Sequence, residues 1–431
     1  MTILTRRRFT ALAGALAGAS VLSPHVVRAQ TRPRLVIIGG GFGGASAARF
    51  ARLQFPQVDV TLIEPKTMFV TCPYGNLVLE GARTLPHISH SYDRLKARGV
   101  NLVHDWADSI DPAARTIRLR GGTALSYDKL ILSPGIAIRW GALPGYDEAA
   151  AEVFPHAWVP GSGEQTALLR RQLEALPDGG VFGMAIPGNP FRCPPGPYER
   201  ISMVASYLEK HKPRAKILAL DAKEAFSKQN LFQDAWSELY PGLIEWVPSN
   251  RDGKVVRVDP QEKVLETEFG TRHKVDVANV IPPQSAPKIA IDAGLTNETG
   301  WVPVNPRTFE ATRAQHIHVI GDANIGQPMP KSGYIANSTS KQAVAAAVSL
   351  LEGREPPANS VYFNTCYSHV GDDYGISVVG VFRPGETGFV ETPNSGGVSP
   401  RGPLAERREQ RRLEALYADA WYASIVEDAF G

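Results

Sequence analysis

The sequence has little with which to staple, anchor or metallate itself. Three cysteines, Cys72, Cys193 and Cys366, in 431 residues exclude a disulfide-built scaffold. In an oxidising compartment one bridge can form and one thiol is left over, and counting does not say which. No Cys-x-x-Cys-His occurs, so this chain attaches no c-type haem to itself. The close histidine pairs are His87/His90 and His316/His318. The first has no further ligand nearby, and the second falls on a strand where alternate residues merely share a face, so no metal site is expected. Long hydrophobic runs are missing too, since the N-terminal run ALAGALAGASVL (11–22) is shorter than the about 20 residues a membrane span needs. It follows TRRRFT (5–10) and precedes Val27-x-Ala29, the order of a twin-arginine export signal over residues 1–30. A periplasmic protein starting near Gln30 or Thr31 is expected, with no transmembrane segment. Residues 1–29 hold four of the 46 basic and none of the 43 acidic residues, so the remainder is close to neutral and nucleic acid is not an expected partner. The twin-arginine route carries folded proteins, which suits a chain that takes up a cofactor before export.

What the sequence does have is a nucleotide framework. RPRLVIIGGGFGGASAARFARLQFPQVDVTLIEP (32–65) gives an apolar strand, the turn Gly39-x-Gly41-x-x-Gly44 enclosing Phe42 and Gly43, an Ala-rich helix, and a second strand ending at Glu64-Pro65. The glycines allow a tight turn and close backbone approach to a pyrophosphate, the helix N-terminus faces the phosphates, and Glu64 can accept from a ribose hydroxyl. YDKLILSPG, ending at Gly135, and IHVIGDA, with Gly321 and Asp322, are similar to the later motifs of two-dinucleotide-binding flavoproteins. There the acid holds the ribityl chain. FAD is the cofactor expected.

A second βαβ unit starts at VFGMAIP (181–187), with Ile201, Val204, Ala205 and Leu208 on one face of its helix and AKILALDA (215–222) as its next strand. Its turn reads PGNPFRCPPGP. Pro187, Pro190, Pro194 and Pro195 carry no amide donors, so a second phosphate cradle, and with it NAD(P)H, is not expected. Pro194 biases Cys193 toward an extended backbone, and Pro197 suits the first turn of the helix. A cysteine held just before a helix N-terminus is expected to lean toward thiolate.

The chain resembles the flavoprotein subunit of flavocytochrome c sulfide dehydrogenase, within the sulfide:quinone oxidoreductase and disulfide-reductase superfamily. GGGFGG, TCPYGN (71–76), the proline-flanked Cys193, MPKSGYIAN (329–337) and FNTCYS (363–368) carry the resemblance. It implies an α/β fold of two Rossmann-like domains and a C-terminal α+β domain. FAD would take 31–150 and 288–355, the Cys193 domain 151–287, and the interface domain 356–431. It implies FAD bound as an 8α-S-cysteinyl adduct of Cys72, a redox-active Cys193–Cys366 disulfide, and Glu199 as an acid beside it. Lys331, Ser332, Gly333, Tyr334 and Trp421 would lie against the flavin.

The activity so implied is sulfide oxidation: hydrosulfide opens the disulfide, the freed thiolate passes an electron pair to flavin, and a c-type cytochrome subunit takes the electrons singly. Cys366 would be the sulfur nearer the flavin. The rivals are a membrane-associated sulfide:quinone oxidoreductase and a non-catalytic flavin-binding electron relay. For the first, Leu413, Leu416, Tyr417 and Trp421 follow the charged stretch 401–412 at helical spacing.

Overall fold

The computed structural model describes residues 32–159 and 161–431; the expected export signal lies outside them. Residues Pro33–Gly431 form one unit. Its first sheet is built on β1 (Arg34–Ile38), flanked by β2 (Asp59–Ile63) and followed outward by β3 (Asn101–Val103). On the other side lies β4 (Lys129–Leu132), and all of these pairs are parallel. Leu35 to Ile38 are buried without alternation, as a parallel strand covered on both faces requires.

From β1 the chain enters α1 (Phe42–Gln54). A Cβ on Gly44 would lie 1.8 Å from the Gly39 carbonyl oxygen, and one on Gly43 2.5 Å from Ser133 Oγ. Only glycine fits either place. The fully buried Ala45, Ala47, Ala48 and Ala51 let α1 sit close to its neighbours.

The second sheet repeats the plan. β5 (Val181–Ile186) leads through the cysteine loop into α2 (Gly196–His211), then β6 (Lys216–Asp221), α3 (Gln229–Leu239), β7 (Ile244–Val247) and β8 (Val277–Val280). The order β7-β6-β5-β8 is again parallel. Each half carries a three-stranded antiparallel meander before its later strand. The chain then returns to the first sheet, where β9 (Ile317–Val319) pairs with β4, so that sheet is assembled from two distant segments. The four residues read onto one face of α2 are buried, and Tyr198, Arg200, Ser202, Met203 and Tyr207 are buried with them, because the C-terminal layer covers a second face of the helix.

That layer starts after α4 (Gly333–Leu351) with a long hairpin, β10 (Tyr362–Gly371) and β11 (Tyr374–Pro384), joined by β12 (Phe389–Glu391) and β13 (Gly397–Val398). The last helix, α5 (Leu404–Phe430), packs inward through Arg411, Ala415, Ala418, Tyr422, Ile425 and Ala429. Leu416 and Tyr417 point outward at 48% and 51% exposure. The helical period is the one read from the sequence; the inward face is a different one. Among the described residues no helix is long and apolar enough to cross a membrane.

Candidate functional site

The strand ends of the first sheet form a cradle. Gly39 has φ +96°, which only glycine adopts freely. The Gly40 amide donates to Glu64 Oε2 at 2.8 Å and the Lys66 amide to Oε1 at 3.1 Å, so Glu64, with Pro65 behind it, also braces the turn. Gly41 caps α1, and a Cβ there would meet only the Phe69 ring at 3.5 Å. Tyr92 donates to the Gly40 carbonyl at 3.0 Å.

Across the cradle, Gly135 and Gly321 both have positive φ. Asp322 accepts from Arg192 Nε at 2.6 Å through Oδ2, while its buried Oδ1 has no partner among the described residues. Lys331 donates to the carbonyls of Asp322 and Asn324 at 2.6 and 2.8 Å and lies 3.7 Å from the Trp301 ring centroid. Burial brings its pKa down to about 8. Ser332 caps α4, accepting from the Ile335 amide at 3.0 Å, and Gly333 lies against Phe42, whose ring a Cβ would meet at 2.9 Å. Tyr334 stacks on Trp421 at 6.0 Å, and the buried Trp421 Nε1 is likewise unpartnered. A glycine-lined turn, an orphaned carboxylate oxygen and an orphaned indole N–H fit FAD: Asp322 would take the ribityl hydroxyls, with Glu64 on the ribose side. Cys72 belongs to this ground, since the charges acting on it, after burial, are Arg192, Arg200, Asp322 and Glu199.

Cys193 departs from expectation in two ways. Its backbone is left-handed, φ +58°, not extended. Its amide donates to the Lys331 carbonyl at 2.7 Å, and its own carbonyl accepts from the Gly196 amide at 2.8 Å. These two bonds override the preference that Pro194 imposes. Its thiol does not lean toward thiolate either, because burial pushes it well up and Cys366, Cys72 and Glu199 act in the same direction. The Cys193 sulfur sits over the start of α2, where a Cβ on Gly196 would come within 2.9 Å of it.

Cys193 and Cys366 line one cavity of about 190 Å³, and both are free thiols here. A larger cavity of about 550 Å³ adjoins it, sharing Pro194, Ser227, Pro328 and Pro330 and reaching Lys223 and Lys331. Glu199 accepts from Asn76 Nδ2 and from the His369 amide, each at 3.0 Å. Burial pushes its carboxyl up although both bonds pull it down. A half-buried carboxyl with a raised pKa is better able than an ordinary one to hold a proton and give it up to a basic sulfur.

Several residues of this site have no counterpart in the sequence reading. Arg200 is 4% exposed and donates to Asn76 Oδ1, Asn279 Oδ1 and the carbonyls of His156 and Ala157. Burial lowers it to about 10. The half-buried Arg192 and the buried Lys228 complete a set of cations. The only signal for the first two was an arginine at either end of RCPPGPYER; Lys228 gave none.

At the second nucleotide turn the strand-end acid is already engaged. Asp221, at the tip of β6 where a ribose would be held, is wholly buried. It accepts from Tyr198 Oη at 2.6 Å, Lys223 Nζ at 2.6 Å and Trp246 Nε1 at 3.1 Å. The Tyr198 and Phe226 rings stack at 3.5 Å over it.

Comparison with known proteins gives three family matches. Residues 33–157 match pyridine nucleotide-disulphide oxidoreductases, 166–282 the central part of the sulfide dehydrogenase [flavocytochrome c] flavoprotein chain, and 358–430 the flavin-binding part of flavocytochrome c sulphide dehydrogenase. A sulfide dehydrogenase [flavocytochrome c] flavoprotein chain of Chlorobaculum thiosulfatiphilum is 60% identical over 45 residues, 10% of this chain and 94% of that sequence. The mitochondrial sulfide:quinone oxidoreductase of Mus musculus is 25% identical over 300 residues, 68% of this chain and 66% of that one, just under two thirds of its length. Among solved structures, the Aquifex aeolicus sulfide:quinone oxidoreductase superposes with TM-score 0.69 at 20% identity, covering 92% of each chain. The reductase of a putidaredoxin reductase–putidaredoxin complex gives 0.63 at 16%, covering 88% of this chain and 92% of that one.

Proposed function

Because this chain belongs to the flavocytochrome c sulfide dehydrogenase flavoprotein family, we propose that it oxidises sulfide to sulfur or polysulfide through a Cys193–Cys366 disulfide beside covalently held FAD. The observation that carries this is the meeting of the two cysteines, from the second sheet's turn and from the C-terminal hairpin, in one cavity next to Glu199. Hydrosulfide opens the disulfide to a persulfide and a thiolate, a second hydrosulfide takes off the outer sulfur as a hydrodisulfide, and the two cysteine sulfurs left behind return to the disulfide by giving up an electron pair, for which a bound flavin would be the acceptor. Glu199 holds and returns the protons. Bound flavin supplies a two-electron acceptor that releases electrons singly. Arg192, Arg200 and Lys228 make the ground favourable to an anionic substrate.

The electrons pass to a c-type cytochrome subunit, and the protein works in the periplasm after twin-arginine export. The likeness to the flavocytochrome c flavoprotein chain of Chlorobaculum supports the first point and the TRRRFT segment the second. A membrane quinone is the second reading of the acceptor, favoured by the longer match to the mouse sulfide:quinone oxidoreductase.

Anaerobic sulfide titration of the purified protein tests the reaction. Wild type bleaches its flavin, while Cys193→Ser and Cys366→Ser keep flavin and fold but do not bleach. If the cysteines were only structural, each variant would instead lose about 2–5 kcal/mol of stability and retain bleaching in the folded fraction. Faster turnover with a c-type cytochrome than with a short-chain quinone decides the acceptor.

A further inference from the structure

Lys228 is buried, 7% exposed, at the residue before α3, with φ +62°. A left-handed backbone costs a lysine about 1–2 kcal/mol, so this side chain is placed against its local preference. Its ammonium has three donors. The structure gives it two acceptors, Ser368 Oγ at 2.8 Å and the Cys366 carbonyl at 3.3 Å, both on the Cys366 strand and both neutral. The Phe232 ring closes another side at 5.6 Å. Among the described residues no carboxylate lies within ion-pair distance of it. An ammonium group buried without an anion is costly. The charges acting on it, nearest in effect first, are Cys366, Glu199, Cys193 and Glu414.

We infer that Lys228 is the counter-ion of the Cys366 sulfur, so that Cys366 leaves as thiolate when the disulfide opens and Cys193 is the sulfur that sulfide attacks. This rests on the proposed function. Hydrosulfide forms a bond to Cys193 Sγ while the Sγ–Sγ bond breaks. Its proton stays on the new persulfide, and the electron pair of the broken bond remains on Cys366 Sγ beside the ammonium; one negative charge enters and one remains. The better-stabilised thiolate is the better leaving group.

The surroundings of the two sulfurs differ in this sense. Facing Cys366 are Lys228 from the start of α3, Glu199 from α2, Cys193 and Cys72, with Glu391 of β12 across the cavity and Glu414 of α5 beyond Lys228. Burial pushes the Cys366 thiol up, and Lys228 is the largest influence drawing it back. For Cys193 the same lysine ranks behind Cys366, Cys72 and Glu199, which oppose ionisation, and the cations that also act on it are Arg192 and Arg200.

The test uses reduced, flavin-loaded, full-length protein, alkylated with iodoacetamide over a pH series and read at each cysteine by peptide mass spectrometry. In wild type, Cys366 alkylates about tenfold faster than Cys193 near neutral pH, one pKa unit being a factor of ten. Lys228→Met slows Cys366 about tenfold and shifts its pH profile upward, leaves Cys193 within about threefold, and Lys228→Arg restores the Cys366 profile. Equal reactivity of the two thiols in wild type overturns the inference with no variant needed. So does an unchanged Cys366 profile in Lys228→Met of wild-type melting temperature. If Lys228→Met does not fold, Lys228→Gln is read in the same way. Sulfide bleaching of wild-type flavin separates this from the function itself: absence of bleaching with the alkylation pattern intact removes the function and leaves the ion pair, and the reverse removes the ion pair alone.

Discussion

The Cys193 amide donates to the Lys331 carbonyl at 2.7 Å, a bond that joins the turn of the second sheet to the loop entering α4. Lys331 in turn spends its ammonium on the carbonyls of Asp322 and Asn324. The cysteine is thereby tied through one residue to the acid that would hold the ribityl chain. A Rossmann-like turn that cradles phosphate in other proteins is here a mount fixing one sulfur relative to the flavin site, and the left-handed backbone of Cys193 is the cost of aiming its amide at that carbonyl.

Cys72 lies within electrostatic reach of Asp322 and Glu199. Acid precipitation of wild type should leave yellow colour on the protein, and Cys72→Ser should release it into the supernatant. Free FAD in the wild-type supernatant would reject the tether.

Glu199 sets a pH dependence of known sign. Its folded carboxyl titrates above the ordinary range because of burial, so as pH rises the unfolded chain loses this proton first. In that window the native state binds more protons, and stability falls as pH rises, by at most about 1.4 kcal/mol per pH unit. Glu199→Gln removes the slope. It also leaves one of two donors, Asn76 Nδ2 or the His369 amide, without an acceptor, a pH-independent loss of about 1–3 kcal/mol. Urea midpoints over a pH series should therefore show converging curves for the two proteins at high pH; parallel curves would sink the assignment.

The parts of the site that were legible in the sequence are those fixed by local sterics. Gly39, Gly43 and Gly44 are required by contacts within a few residues or to a neighbouring strand, and the strand–turn–helix pattern announces them. Cys193 was legible as a site residue, but its left-handed backbone and the buried placement of Arg200 and Lys228 were not, because these depend on distant chain. The left-handed turn of Cys193 answers to Lys331, the burial of Arg200 to Asn76 and Asn279, and that of Lys228 to Ser368. A lysine in a loop reads as solvent-facing until the C-terminal hairpin is laid over it. The same hairpin makes α2 a helix buried all round.

NADH and NADPH should not reduce the flavin. Asp221 already takes donors from Tyr198, Lys223 and Trp246, so a ribose would have to displace all three and break the Tyr198–Phe226 stack. Stoichiometric flavin reduction by NADH on the timescale of sulfide reduction would show that this closure opens.

Gly196 offers a test of the mount that touches neither cysteine. A methyl group there would come within 2.9 Å of Cys193 Sγ and 2.8 Å of Trp158 Cη2, yet the Gly196 backbone is not left-handed, and alanine is otherwise the better helix residue. Trp158 is pinned by its Nε1 bond to the Arg192 carbonyl at 3.2 Å, so the sulfur is the neighbour that must give. Gly196→Ala should therefore keep covalent flavin and cost about 1–3 kcal/mol from overpacking, while slowing sulfide-dependent bleaching at least about tenfold, because a sulfur displaced by even 1 Å leaves the attack geometry. Gly188→Ala, in the same loop but with open space around its Cβ, is the control and should bleach at the wild-type rate. Equal rates in Gly196→Ala and wild type would mean that the position of Cys193 over the α2 terminus is incidental to the reaction.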